Sequence, residues 1–306
     1  MKAIVFGGSG FLGSHVADAL TAAGHAVTIF DHRPATHRKP EQTLIQGSML
    51  DMRSVQEAVK GQDVLYNFAG IADIDECLKQ PIETVQVNVL GCVNQLEAAR
   101  QANIKRFVFA SSIYVYSESG GFYRVGKQAC ELYIEEFNRL HNLDYTILRY
   151  GTIYGRRADA RNSVYRYLRQ AIQEHRITVT GSEDTVREYI HVQDAAQASV
   201  EILSPTFKNQ NVTITGHHPM PLRDLMRMIQ EIVGSDVVID YRNPGPKEGR
   251  SIGHYNLTPY KFHPKIAKKL ATNYYFDMGQ GLLDCLEEIH GSLDSSSAPD
   301  PSKPPR

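Results

Sequence analysis

Short apolar segments alternate with longer segments of helical periodicity along the first half of the chain. The apolar segments predict strands at residues 2–6, 26–30, 43–45, 64–68, 107–110 and 145–148. The helical periodicity predicts helices at residues 11–23, 52–60, 82–102 and 123–141. Because these strands are apolar almost throughout, we expect a parallel sheet covered by helices on both faces. The pattern therefore predicts a doubly wound α/β sheet of the Rossmann type.

The second half of the chain has a looser pattern. It predicts helices at residues 164–174, 192–202, 222–233 and 278–289, with short strands at residues 177–180, 212–214 and 237–240. We expect a first domain at residues 1–155 and a smaller C-terminal α/β lobe at residues 156–291, from which some strands and helices return to the first domain. Residues 241–251 are rich in Pro and Gly and predict a loop. The polar, Pro-rich residues 292–306 predict a disordered tail.

The composition is that of an ordinary globular protein, with 42% hydrophobic residues, 22% charged residues and a net charge of −1 over 306 residues. Without a basic excess, we expect neither nucleic acid nor a membrane surface as a partner. No apolar run reaches the roughly 20 residues that span a bilayer, and glycines interrupt the N-terminal apolar run, so we expect no signal peptide. Four scattered cysteines predict reduced thiols in the cytoplasm and no metal site.

A glycine-rich turn follows the first predicted strand. The segment GGSGFLG places Gly7, Gly10 and Gly13 at intervals of three, with Phe11 and Leu12 before the last of them. At a strand-to-helix junction such glycines allow a tight turn and a close approach of the backbone to a pyrophosphate. The N-terminal amides of the next helix then point at that negative charge. The turn therefore predicts a dinucleotide site; a sharp turn without a ligand is the alternative.

Further residues at the ends of the next strands refine this prediction. Asp31 stands about 20 residues after the turn, where a carboxylate can bind the ribose hydroxyls and repel a 2′-phosphate, which favours NAD over NADP. Arg33 could weaken that repulsion. Five further residues lie where the cofactor would pass: Ser48 and Met49 near the adenine, and Phe68, Ala69 and Gly70 near its middle.

A hydroxyl, a phenol and an ammonium follow the fifth predicted strand. Ser111 and Ser112 end the segment FVFASS, and Tyr123 and Lys127 are four residues apart on one face of the next helix. A nearby ammonium stabilises tyrosinate, so this phenol can take a proton from an alcohol while a hydride leaves the same carbon. A serine hydroxyl can hold the oxygen during that change. An ordinary amphipathic pair is the alternative, but the glycine turn earlier in the chain favours alcohol–ketone chemistry beside a nicotinamide.

With these motifs in place, the chain resembles the extended short-chain dehydrogenase/reductases, specifically the nucleotide-sugar epimerase/dehydratase branch. The resemblance covers residues 1 to about 290 and rests on GGSGFLG, VNVLGCVNQLEAAR, FVFASSIYVYS, YRVGK, LRYGTIYGRR and REYIHVQDAAQA. It implies that Tyr123 is the general base and acid, that Lys127 orients it and the nicotinamide ribose, and that Ser112 binds the reacting oxygen. It also implies cofactor contact by Asn88 and substrate contacts by Thr152 and by Arg187, which would bind the diphosphate. Arg250 is a second candidate for that diphosphate, and a surface or inter-lobe ion pair is the alternative for either arginine. Dimers of this family commonly pair through helices like those predicted at residues 82–102 and 123–141. By that resemblance we expect a homodimer.

Differences from the family pattern reduce the number of reactions that are expected. Family dehydratases carry Asp-Glu straight after the catalytic serine or threonine, whereas this chain has Ile113 and Tyr114. Redox at one carbon, as in an NAD-dependent epimerase that forms a transient keto sugar, is therefore the simplest expectation. The alternatives are a reductase or dehydratase of a nucleotide sugar and, from another class, a non-catalytic dinucleotide-sensing protein.

Overall fold

The computed structural model describes residues 1–242, 267–271 and 274–297. Its strands are β1 (Lys2–Phe6), β2 (Ala26–Asp31), β3 (Thr43–Gln46), β4 (Val64–Asn67), β5 (Arg106–Ser112), β6 (Tyr145–Tyr150), β7 (Thr152–Tyr154), β8 (Arg176–Thr180), β9 (Val186–His191), β10 (Gln210–Ile214), β11 (Pro219–Pro221), β12 (Val238–Arg242) and β13 (Lys268–Lys269). Its α-helices are α1 (Phe11–Ala22), α2 (Met52–Val59), α3 (Ile74–Lys79), α4 (Pro81–Thr84), α5 (Gly91–Gln101), α6 (Gly121–His141), α7 (Ser163–Glu174), α8 (Val192–Glu201), α9 (Leu222–Val233) and α10 (Met278–Ser297).

Eight parallel strands form the main sheet in the order β13-β10-β6-β5-β4-β1-β2-β3. The order reverses at β1, whose neighbours are β2 and β4, so β1 and β4 flank the switch point of a doubly wound sheet. Ligands bind at that point, beyond the carboxyl ends of the strands. The predicted fold class is therefore confirmed, and its topology puts the glycine turn after β1 where a dinucleotide site is expected.

Alternate residues of each strand face opposite layers of helices. Phe107 and Phe109 of β5 belong to a core beneath α2, α5 and α6, whereas Val108 belongs to a core beneath α1 and α8. This period of two is the geometry of a pleated strand covered on both faces. Three elements of the second half of the chain, α8, β10 and β13, therefore pack with the elements of the first half.

The remaining elements build the smaller lobe on its own core. That core contains side chains of α7, α9 and α10 packed on the parallel pair of β8 and β12. A second sheet, in the order β11-β9-β7, connects this lobe to the end of β6. The smaller lobe thus has its own hydrophobic core beside the main sheet.

The structure corrects several sequence boundaries. The sequence did not predict β7, β9, β11, β13 and α3, because segments of two to six residues are too short to show a hydrophobic period. β12 takes the first two residues of the expected 241–251 loop, whose remainder lies outside the described residues. The expected tail at 292–306 begins too early, since α10 continues to Ser297, and residues 298–306 lie outside the described part. Among the described residues, none of the helices is both long and apolar enough to cross a membrane.

Candidate active site

The glycine turn after β1 is packed too closely for side chains. Gly7 has a φ of +79°, and a Cβ built on it would lie 2.6 Å from the Ala69 amide nitrogen. A Cβ on Gly13 would lie 2.2 Å from the Gly7 carbonyl oxygen, and Gly10 N donates to that same oxygen at 3.0 Å. Phe11 and Leu12 open α1 directly above this turn. The backbone therefore forms a cradle that a single methyl group would fill, which fits the close approach of a pyrophosphate.

The carboxylate of Asp31 lies at the end of β2, against the same turn. It is 5% exposed, and its two oxygens accept hydrogen bonds from Ser9 N and Arg33 N, each at 3.0 Å. The Arg33 Nε lies 3.9 Å from the carboxylate, and its Nη2 lies 3.7 Å from a Cβ built on Gly10. Asp31 thus holds the glycine turn and places a negative charge beside it. The guanidinium of Arg33 lies next to both the carboxylate and Gly10.

Ser48 and Met49 follow β3, and they differ in exposure. Ser48 Oγ accepts a hydrogen bond from Leu50 N at 3.2 Å. The Met49 side chain is 9% exposed and packs on Gly91 of α5, where an added Cβ would lie 2.3 Å from its Cε. The side chain of Met49 therefore belongs to the hydrophobic core, and its carbonyl oxygen accepts a hydrogen bond from Asn94 Nδ2 at 3.1 Å.

Asn88 holds the loop that follows β4. Its Oδ1 accepts from Ile71 N at 2.7 Å, and its Nδ2 donates to Ile71 O at 3.0 Å. A Cβ on Gly70, whose φ is +148°, would lie 2.8 Å from that Oδ1. Asn88 lies in a π-helical turn, Val85–Leu90, inside the helix predicted at 82–102, and such turns are frequent at functional sites. The side-chain amide of Asn88 therefore holds Ile71, the residue that follows the Phe68–Gly70 run.

Ser112, Tyr123 and Lys127 lie where β5 ends and α6 begins. β5 ends at Ser112, and Tyr123 lies in the first turn of α6. The Lys127 Nζ donates to the Ala110 carbonyl oxygen at 2.7 Å and lies 5.6 Å from the centroid of the Tyr123 ring. The ammonium therefore lies between the end of the serine strand and the phenol.

The residues after Ser112 form a short 3₁₀ turn, Ile113–Tyr116. Ser112 caps it, since its Oγ accepts from Tyr114 N at 3.3 Å. The Ile113 side chain is 1% exposed in the core, and the Tyr114 ring meets the Tyr123 ring edge-on, with centroids 6.2 Å apart. The two positions that could carry a second acid and base thus hold a buried aliphatic group and an aromatic ring.

Two of the expected substrate residues, Thr152 and Arg187, lie in the three-stranded sheet. Thr152 of β7 is opposite Tyr189 of β9, and Arg187 of β9 is opposite Met220 of β11. Both side chains are half-buried, and Arg187 Nη1 donates to the Val186 carbonyl oxygen at 3.2 Å. Arg250 lies outside the described residues. The structure thus places Thr152 and Arg187 on neighbouring strands of one small sheet.

One buried polar group beside the site was missed from the sequence. Arg149 of β6 is 0% exposed and pairs with Glu131 of α6. The predicted sixth strand ended at residue 148, one residue short of this arginine. The signal available was a charged residue continuing an apolar strand in YTILRY, together with Glu131, four residues after Lys127 on the same helix face.

The acidic residues before α3 have a structural role. Asp73 is the N-cap of α3 and accepts a hydrogen bond from Glu76 N at 2.8 Å, while Asp75 and Glu76 lie in the first turn. Carboxylates stabilise a helix N-terminus in this position. Within residues 1–242, 267–271 and 274–297, no group of three or more metal-ligating side chains forms a metal site.

The chain matches a family profile, two curated proteins and a solved structure. A sequence profile described as the NAD dependent epimerase/dehydratase family matches residues 3–214. The chain is 27% identical over 263 residues to a UDP-N-acetyl-alpha-D-glucosaminuronate decarboxylase of Bacillus cytotoxicus, covering 76% of this chain and 81% of that protein. It is 25% identical over 287 residues to a UDP-glucose 4-epimerase of Lactobacillus helveticus, covering 81% and 86%. The crystal structure of a UDP-glucose 4-epimerase with UDP-glucose from Thermotoga maritima superposes with a TM-score of 0.82 at 21% identity, covering 96% and 100%.

Proposed function

The chain belongs to the NAD dependent epimerase/dehydratase family, and on that premise we propose that it is an NAD-dependent epimerase of a nucleotide-diphosphate sugar. The observation that carries this proposal is the position of the Lys127 ammonium, which donates to the Ala110 carbonyl oxygen near the end of β5 and lies 5.6 Å from the centroid of the Tyr123 ring. Two of the named relatives act in this chemistry, one as a 4-epimerase and one as a decarboxylase of UDP sugars.

NAD, when bound, would accept a hydride from the sugar carbon and return it to the other face. Gly7, Gly10 and Gly13 would hold its pyrophosphate through backbone amides, and Asp31 would accept from a ribose hydroxyl. The same carboxylate disfavours a 2′-phosphate, which supports NAD over NADP. These contacts would keep the cofactor in place through a cycle without net redox change.

The protein's own groups would move the proton. Tyr123 would take the proton of the sugar hydroxyl as the keto sugar forms and give it back when the alcohol is restored. Ser112 would hold the reacting oxygen, and Lys127 would stabilise the tyrosinate electrostatically. Thr152, Arg187 and Arg250 remain the proposed substrate contacts; an arginine fork is suited to a diphosphate.

Ile113 and Tyr114 favour epimerisation over dehydration. Elimination of water across two carbons needs an additional acid and base beside the sugar. A buried isoleucine and a tyrosine ring stand directly after Ser112, where family dehydratases carry carboxylates. One-carbon redox needs only the proton acceptor already present. A net reductase is the second candidate, favoured only by Arg33, which lies beside the position of a 2′-phosphate.

The experiment combines cofactor release with turnover. Purified protein is unfolded and the released cofactor is identified by mass spectrometry, while intact protein is incubated with UDP-hexoses without added cofactor. The proposal expects near-stoichiometric NAD and conversion to a C4 epimer in the same sample. An empty site with turnover only on added NADPH would instead establish a reductase. Intact NAD with no effect of Tyr123→Phe on any turnover would overturn the assignment of the base.

We also propose a homodimer in the cytoplasm. The outer faces of α4, the π-helical turn and α6 expose apolar side chains, including Ile82 at 75% and Leu132 at 61%. Exposed apolar patches of this kind favour protein contact. Four buried cysteines without a disulfide fit a reducing compartment. Sedimentation equilibrium should give a dimer for the wild type and for Leu283→Asp, an exposed leucine on α10, but a monomer for Leu132→Asp. A monomeric wild type would refute the dimer.

A further inference from the structure

A buried ion pair lies directly behind the proposed catalytic serine. Arg149 donates from Nη2 to Glu131 Oε2 at 2.6 Å and from Nε to Glu131 Oε1 at 3.0 Å, and the two side chains are 1% and 4% exposed. Burial opposes the charge of Arg149, but hydrogen bonds and the charge of Glu131 raise its pKa above the ordinary value. Because desolvation cancels much of the gain, a buried pair is weak evidence for stability alone. Its other partners indicate what it does.

The carboxylate of Glu131 holds the serine strand from one side. Ser111 Oγ donates to Glu131 Oε1 at 2.5 Å. Ser111 shares a strand face with Phe107 and Phe109, beneath α6, and Ser112 follows on the alternate position. Glu131 therefore fixes the position of Ser111, the residue directly before Ser112.

The guanidinium of Arg149 holds the other end of the same turn. Its Nη1 donates to the Tyr116 hydroxyl at 2.5 Å, and its Cζ lies 4.7 Å from the centroid of that ring. The Tyr116 hydroxyl also accepts from Ala267 N at 3.0 Å. Tyr116 ends the 3₁₀ turn that Ser112 caps. Both ends of the 111–116 segment are thus bonded to a single ion pair.

The ion pair is also tied to the proposed base through α6. Tyr123, Lys127 and Glu131 are spaced by four residues and lie along one face of this helix. The distance between the Ser112 hydroxyl and the Tyr123 phenol therefore depends on how the 111–116 segment is fastened to that face. Glu131 and Arg149 provide side-chain bonds from both ends of the segment to the helix and to β6. Between those ends, Gln128 of α6 donates to the Val115 carbonyl oxygen at 2.9 Å.

We propose that Glu131 and Arg149 are positioning residues, which fix Ser112 relative to Tyr123 by holding the 111–116 segment at Ser111 and at Tyr116. This inference rests on the proposed function for its kinetic readout. Both side chains are almost fully buried, so we expect the pair to affect the chemical step rather than substrate binding. A displacement of about 1 Å at reacting groups can cost about 100-fold in rate.

The test compares single and double substitutions of the pair. Glu131→Gln and Arg149→Met each leave one buried group without its partner, so both should lower stability and kcat. The double variant leaves no unpaired charge and should recover much of the stability, yet its kcat should stay about 10- to 100-fold low with KM within about twofold. Recovery of kcat together with stability would overturn the proposal and leave a purely structural pair. Glu57→Gln, in the exposed pair with Lys60, is the matched control and should change neither.

Two milder variants cover the case in which the double variant does not fold. Ser111→Ala removes only the bond to Glu131, and Tyr116→Phe removes only the bonds to Arg149 and Ala267. Each should lower kcat about 3- to 10-fold, in line with the loss of one or two hydrogen bonds, while KM stays within about twofold. Wild-type kcat in both would overturn the proposal.

A second readout separates this inference from the proposed function. Hydrogen–deuterium exchange of peptides covering residues 111–117 should be faster in Ser111→Ala and Tyr116→Phe than in wild type or Glu57→Gln. If the wild type turns over no nucleotide sugar, the proposed function fails, but faster exchange would still establish that the pair fixes this segment. Unchanged exchange in both variants would overturn the positioning role whatever the activity.

Discussion

The Lys127 ammonium donates a hydrogen bond to the carbonyl oxygen of Ala110 at 2.7 Å. This bond connects α6 to β5 at Ala110, two residues before the strand ends at Ser112. Because the same ammonium lies 5.6 Å from the Tyr123 ring centroid, one side chain sets both the charge beside the phenol and the distance of the helix from the strand. The chemistry and the packing of the site therefore depend on the same contact.

Replacing Tyr123 by Phe should remove proton transfer without disturbing the fold. We expect kcat for epimerisation to fall by about 10²- to 10⁴-fold, the usual contribution of a general base, while bound NAD is retained. Turnover of UDP-hexoses and the absorbance of released cofactor measure the two effects. Tyr133→Phe removes a hydroxyl from the same helix at a residue that is 46% exposed, and it should leave kcat unchanged. A Tyr123→Phe enzyme with wild-type kcat would mean that another group accepts the proton.

Replacing Asp31 by Asn should weaken NAD binding and reduce discrimination against NADP. A hydrogen bond to a charged group contributes about 1.5–3 kcal/mol, so we expect NAD affinity to fall by about 10- to 100-fold. The loss of negative charge beside the 2′ position should at the same time make NADP binding tighter relative to NAD. Calorimetric titration of protein stripped of cofactor measures both affinities. Asp236→Asn, at an exposed aspartate of the smaller lobe, should bind as the wild type does; equal losses in the two variants would contradict a specific role for Asp31.

A methyl group at position 13 should close the cofactor cradle. The added Cβ of Gly13→Ala would lie 2.2 Å from the Gly7 carbonyl oxygen, so the turn must shift. We expect purified Gly13→Ala to carry less than about a tenth of the wild-type NAD, because the backbone can no longer approach the pyrophosphate. Gly291→Ala makes the same substitution where a built Cβ meets nothing within 4 Å. Full cofactor content in Gly13→Ala would show that the turn does not set the approach of the ligand.

Two buried histidines should make the protein less stable in acid. Burial, and then the charge of Arg157, lowers the pKa of His15 to about 4, and burial lowers that of His191 to about 4. Above pH of about 6.5, where a histidine of an unfolded chain titrates, both states are neutral and contribute no pH dependence. Below it, the unfolded chain takes up protons that the folded chain does not, so stability falls as the pH drops from about 6.5 to about 4, by about 2 kcal/mol per histidine at pH 5.

The pH dependence of chemical unfolding measures this loss. His15 donates from Nε2 to the Arg156 carbonyl oxygen at 3.0 Å, a bond that Gln can also make without titrating. We therefore expect His15→Gln to flatten the dependence of the unfolding midpoint between pH 7.5 and 5. His218→Gln replaces an exposed histidine and should keep the wild-type slope. A wild-type slope in His15→Gln would show that His15 does not titrate differently in the two states.

The elements of the first domain could be read from the sequence because their signals are local. Continuous apolar runs predicted all six strands from β1 to β6 within a few residues, and helical periodicity predicted α1, α2, α5 and α6. The glycine spacing at residues 7, 10 and 13 and the four-residue interval from Tyr123 to Lys127 needed only neighbouring positions. Each of these features is fixed by backbone geometry over a few residues, so a single sequence is sufficient to find it.

Other features depended on contacts between distant parts of the chain. Three of them are visible only in the folded protein. β10 pairs with β6, Asn88 binds Ile71, and the Met49 side chain lies in the core. The pairing of Glu131 with Arg149 is the clearest case. A charged residue in a buried strand is unfavourable unless it is paired, and the sequence of β6 does not show that its partner lies on α6. The elements and the candidate chemistry could thus be predicted from the chain, since both follow from local spacing. The side chains that hold the chemistry in place could not, because their bonds join residues that are near only after the chain has folded.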